Sequence, residues 1–137
     1  MNRNKDIDHD TISMIADYME NGFLENIIDM FRHETKLYNH IGTLIQDKRV
    51  RVRIGITALM EELKKTDKEN IARAVPHILP LLGHTEAVVR GDAASLLGIV
   101  GDKTAIPALT EALSDEHPHV RALAQEALEE IRSDFLE

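Results

Sequence analysis

One segment of this chain says the same thing twice, and that repetition limits the fold more than any other feature. Pro76, Leu82, Val89, Arg90, Ala93 and Leu97 recur 31 residues later as Pro107, Leu113, Val120, Arg121, Ala124 and Leu128. The six identities span two helix-like apolar patterns with a shared break between them. A fixed period of this size marks stacked supersecondary units, none of which buries its apolar face alone. The expected fold is therefore all-α, an α-solenoid.

A fainter copy precedes these two. Tyr38, Ile41 and Ile45 take the places of Val75, Ile78 and Leu82, and of Ile106, Leu109 and Leu113. Spacings of three and four put each trio on one helix face. After a turn at Asp47-Lys48-Arg49, the apolar residues Val52, Ile56, Leu59, Met60 and Leu63 match Val89, Ala93, Leu96, Leu97 and Val100. Arg53, Arg90 and Arg121 align. Three helix pairs follow, over residues 37–64, 71–101 and 104–132, in a single domain of residues 1–137. The alignment needs six extra residues at Lys65-Thr-Asp-Lys-Glu-Asn70, where an insertion is tolerated as a loop on one edge. Pro76 and Pro80 predict a helix that begins or bends near Pro76, because an interior proline removes a hydrogen bond and clashes with the preceding turn. Pro107 and Pro118 suit helix starts, and Gly101 a left-handed helix end.

Residues 8–35 lie outside the register and predict a helical cap. A first helix is expected from Asp8 or Asp10, with Ile12, Ile15, Ala16 and Met19 on one face and Asn21-Gly22 as its stop. Leu24, Ile27, Ile28 and Phe31 mark a second, with a bend near His33 or Glu34.

Charge and composition narrow the function. The net charge of −8, with 24 acidic against 16 basic residues, disfavours nucleic acid, whose phosphates need basic surface. Lys48-Arg49-Val-Arg51-Val-Arg53 is the one local basic run. Aromatics make up 4% and tryptophan is absent, which also argues against base stacking. Without cysteine there is no disulfide or thiolate metal site. No apolar run reaches a membrane span, so the expected setting is the cytoplasm, with no membrane partner.

Leu113-Ser-Asp115, a short turn, then Val120-Arg121-x-x-Ala124-x-x-Ala127-Leu128 resembles a HEAT repeat, and more narrowly the short phycobilisome-lyase HEAT-like repeat. The resemblance covers residues 76–132, is fainter over 38–63 and does not extend to 1–35. It implies a polar ladder between repeats, made of Asp47, Asp115, Arg53, Arg90 and Arg121, with His84 where the family has aspartate. It also implies one of several roles, from scaffold to bilin lyase or iron-dependent hydroxylase. The hydroxylase places His-Glu pairs just after the repeat arginine; here those places hold Ile54-Gly55, Gly91-Asp92 and Ala122-Leu123, so that chemistry is not expected. His33-Glu34 lies out of register.

Nothing else assembles a catalytic set. No nucleophile elbow or phosphate-binding glycine loop is present, and no cofactor or metal is expected. His117-Pro118-His119 reads as a turn, and His40 and His77 as an outer helix face. Fold alone does not carry function, but second helices usually line the concave partner-binding side of such stacks. Offsets of two, five and nine from each repeat arginine give Gly55, Ala58 and Glu62, then Asp92, Ser95 and Ile99, then Leu123, Glu126 and Glu130. This acidic row predicts a non-enzymatic adaptor or scaffold for a protein partner with a basic or amphipathic segment. A bilin- or cofactor-handling subunit is the alternative.

Overall fold

The computed structural model describes the backbone of residues 3–136 and the side chains of residues 9–135. Among the described residues there are helices and turns and no strand. Helix α1 spans Arg3–Glu20, starting earlier than Asp8, since neither proline nor glycine interrupts residues 3–20. Gly22, at φ 84°, ends it where a left-handed residue is needed. Helix α2, Leu24–His33, buries Ile27 and Phe31. Glu34 then leaves helical geometry at φ −130°, ψ 88°, which is the expected bend.

Three helix pairs follow. Helix α3 is a 3-10 stretch, Thr35–His40, running into Ile41–Leu44; its partner α4 spans Val50–Thr66. Helix α5 comes in three pieces: Ile71–Ala74, Val75–Ile78 and Leu79–Gly83. Pro76 and Pro80 each sit in the first turn of a piece, where the missing N–H leaves no broken bond, so α5 bends without ending. Its partner α6 spans Ala87–Val100 and stops at Gly101, φ 76°. Helix α7, a 3-10 turn Lys103–Ala105 leading into Ile106–Ala112, pairs with α8, Pro118–Leu136.

The helices form two layers, α1–α4–α6–α8 against α2–α3–α5–α7. One continuous core runs between them, from Ile15, Phe31 and Tyr38 through Leu59 and Leu97 to Ile131. The layers are close-packed. A methyl group at Gly98 would lie 2.8 Å from the Ala127 Cα, so the small residue sets how near α6 comes to α8. The insertion at residues 65–70 is only partly a loop. Helix α4 absorbs Lys65 and Thr66, and Asp67 then accepts hydrogen bonds from the Tyr38 hydroxyl (2.8 Å) and the Asn70 amide (2.9 Å).

The polar ladder is regular at one rung and rewired at the other. Arg90, 8% exposed, donates twice to the Asp115 carboxylate, at 2.8 and 3.1 Å, and to the carbonyls of His84 and Thr85. This fork holds the Asp115 carboxyl below the usual carboxylate range. Arg121 donates to the Asp115 carbonyl at 2.7 Å. With His84 at the equivalent place in the preceding repeat, Arg53 has no ladder aspartate and turns to Asp92 on α6, 2.9 Å away. Asp47 does not join Arg53 either. It accepts from the side chain and backbone of Arg49, and Arg49 also reaches Asp17 on α1 at 2.9 Å, fastening the N-terminal helices to the stack. Arg49 and Arg53 of the basic run are thereby neutralised.

Candidate functional site

The second-helix layer carries a groove of about 380 Å³ where α4, α6 and α8 meet. Its floor is apolar: Ile99 from α6, with Leu123 and Ala127 from α8. Its walls are acidic: Glu61 from the end of α4, with Glu126, Glu130 and Asp134 along α8. Residues spaced by four recur on one helix face, which is why those three α8 acids line up. Ser95 completes the lining from α6.

Five of the seven residues expected at a binding surface therefore converge: Ser95, Ile99, Leu123, Glu126 and Glu130. Glu62 does not join them. One residue is about 100° of helix rotation, and α4 turns Glu61 toward the groove while Glu62 pairs with Lys65 at 3.5 Å. Asp92 is also outside the lining and is taken by Arg53. The first triplet of the row is partly covered, because the Met19 side chain of α1 lies against Gly55.

Two bases missed by sequence reasoning, Lys64 and Lys65, line the groove. The Lys64 ammonium donates to the Val100 carbonyl at 2.6 Å and to Asp134 at 3.2 Å. It thus satisfies an orphan carbonyl at the end of α6. Lys64, Val100 and Asp134 come from three different repeats, so no local spacing announces the contact. Glu61, Glu126 and Glu130 form no ion pair among the described residues. Partial burial, reinforced by the charges of Asp134, Glu61 and Glu126, pushes the Glu130 carboxyl above its ordinary range despite the opposing Lys64. The groove holds more negative charge than it neutralises.

Two of the histidines act locally. His84 Nδ1 accepts from the Glu86 amide at 3.0 Å, and His117 Nδ1 from the His119 amide at 3.2 Å, each bond closing a turn before a second helix. Among the described residues no group of three or more His, Asp or Glu side chains converges as a metal site, and no helix is long and apolar enough to cross a membrane.

Residues 75–135 match the family model for HEAT repeats. That segment contains the regular ladder rung and most of the groove. No curated protein matches the chain. Together the match and the two-layered helix pairs define an all-α, HEAT-like solenoid. HEAT repeats commonly mediate protein–protein interaction.

Proposed function

We propose that this chain is a non-enzymatic adaptor or scaffold that binds a protein partner through the α4–α6–α8 groove, and that the partner presents a basic, amphipathic segment. The observation that carries this reading is the pairing of an apolar floor with three carboxylates that lack ion-pair partners among the described residues. Apolar contact supplies affinity, and opposite charge supplies orientation and a fast encounter. A pigment- or cofactor-handling role, suggested by the phycobilisome-lyase likeness, fits less well, since the net negative charge of the groove repels the acidic side chains of a bilin.

The test is charge reversal. Glu126→Lys with Glu130→Lys is compared with Glu69→Lys, an exposed acid in the turn after α4, in affinity capture from the native host at 50 and 300 mM salt. Partners are expected to be lost from the double variant, kept by the control, and weakened by salt. Equal capture by both variants, with unchanged circular dichroism, refutes the assignment.

A further inference from the structure

A second depression, of about 280 Å³, lies between the end of α1 and the first half of α4. Met19, Leu24 and Ile54 line it, with Glu20 and Arg51 beside them. Ile54 is 64% exposed, and the neighbouring Phe23 and Tyr18, whose rings meet at 5.5 Å, are also exposed. Exposed apolar side chains gathered around a hollow mark a contact surface.

The hollow and the acidic groove share α4, where Ile54 and Glu61, seven residues apart, lie on one helix face. Gly55, in the wall of the hollow, holds the register position that Leu123 holds in the groove floor: each is two residues beyond its repeat arginine. Along α4, Ile54 and Glu61 are about 10 Å apart at 1.5 Å per residue. Adjacent helices of the layer add about 8–10 Å each, so the two sites are roughly 20 Å from one another. The neutralised Arg53–Asp92 pair links α4 to α6. The layer thus carries exposed apolar side chains and no net charge at the α1 hollow, a neutralised pair between α4 and α6, and net negative charge at the α8 end.

We infer that the two sites form one bipartite track for a single amphipathic helix of the partner, with bulky apolar side chains at one end and lysines or arginines at the other. The inference rests on the adaptor reading above and specifies its ligand. Charge sets the polarity of the docked helix. The carboxylates of the groove take the basic end, while Glu20 and Arg51 offset each other in formal charge at the hollow and leave that site to uncharged apolar groups. A span of roughly 20 Å is three to four helical turns, so both ends of the ligand fall on one face when spaced by about 11 or 14 residues.

The probes are two fluorescein-labelled helical peptides that share four lysines at one end. The first carries Leu and Trp three turns away; the second has alanines there. Fluorescence anisotropy against the full chain is expected to show the first binding about tenfold tighter, the gain of burying one or two large apolar side chains. Ile54→Asp and Ile54→Ser, at a position exposed enough to leave folding intact, are expected to abolish that preference and leave the second peptide within twofold. Glu126→Lys with Glu130→Lys weakens both peptides. If the peptides bind equally, or the preference survives at Ile54, the bipartite track is wrong while the groove reading stands on its charge-reversal result. If neither peptide binds the unaltered chain, both fall.

Discussion

Replacing Tyr38 by phenylalanine isolates a single hydrogen bond at the place where the inserted residues are tied down. Tyr38 is fully buried, its hydroxyl donates to Asp67 at 2.8 Å, and its ring meets Phe31 edge-on at 5.2 Å. Tyr38→Phe keeps the ring contact and removes only the hydroxyl. A hydrogen bond to a charged acceptor contributes about 1.5–3 kcal/mol, and Asp67 is only partly buried, so the low end, about 1.5 kcal/mol, applies. Unfolding entropy of about 2.1 cal/mol/K per residue makes this a drop in Tm of about 5 °C for a chain of this length. The dependence on pH is more diagnostic. Burial, then the bond to Asp67 and its charge, hold the folded phenol well above the usual phenol range, whereas the unfolded phenol ionises near about 10. The folded state keeps a proton that the unfolded state loses, so this contribution is complete below about pH 10 and falls by up to about 1.4 kcal/mol per pH unit above it. Phenylalanine has no such proton. Urea melts followed by circular dichroism at pH 7, 9, 10 and 11 are expected to show the gap between the two proteins constant to pH 9 and closed by about pH 11. Taking the difference cancels titrations they share. A gap that persists unchanged at pH 11 refutes the buried, hydrogen-bonded phenol.

Three further outcomes test the packing, the ladder and the groove. Gly98→Ala places a methyl group 2.8 Å from the Ala127 Cα; forcing α8 away is expected to cost about 1–3 kcal/mol in a urea melt, while Gly83→Ala, with nothing within 4 Å, stays near neutral. Arg90→Ala is expected to lower Tm at least three times as much as Arg121→Ala by calorimetry, because Arg90 bridges a carboxylate and two carbonyls while Arg121 is exposed and makes one bond. Glu130→Gln is expected to raise Tm at pH 7. The raised carboxyl favours its protonated form in the folded state, so the wild-type penalty is full above the folded pKa and disappears as pH falls below the unfolded one, where the advantage of Gln vanishes. The same variant weakens binding of a lysine-rich peptide.

The repeat register was legible because apolar spacing and proline placement are local signals. Val52, Val89 and Val120 each open the buried face of a second helix, and Pro76, Pro80, Pro107 and Pro118 act where a missing N–H dictates. The site was legible only as a face. Counting from each arginine assumes that every second helix is rotated alike, and α4 departs from this by the one residue that exchanges Glu62 for Glu61. Pairings across repeats were not legible, since Lys64–Val100 and Arg53–Asp92 join residues 36 and 39 apart in sequence through contacts that no periodicity encodes. The early start of α1 was missed for a different reason: polar helical residues with no periodic apolar partner leave no pattern to count.

Position 84 connects these departures. An aspartate there would give Arg53 the fork that Asp115 gives Arg90, leaving Asp92 as an unpaired carboxylate on α6. With histidine at 84, Asp92 is drawn to Arg53, and the middle of the face loses a charge. What remains is sorted along the layer: exposed apolar side chains with one acid and one base where α1 meets α4, and net negative charge where α4 and α6 meet α8. A uniformly acidic face would attract any basic chain in either direction, whereas a sorted one distinguishes the two ends of its ligand. On this argument the departure from the repeat pattern gives the surface its direction. Restoring the rung with His84→Asp should free Asp92 and blur that polarity, because specificity is a difference between competing orientations and an added charge in the middle narrows it.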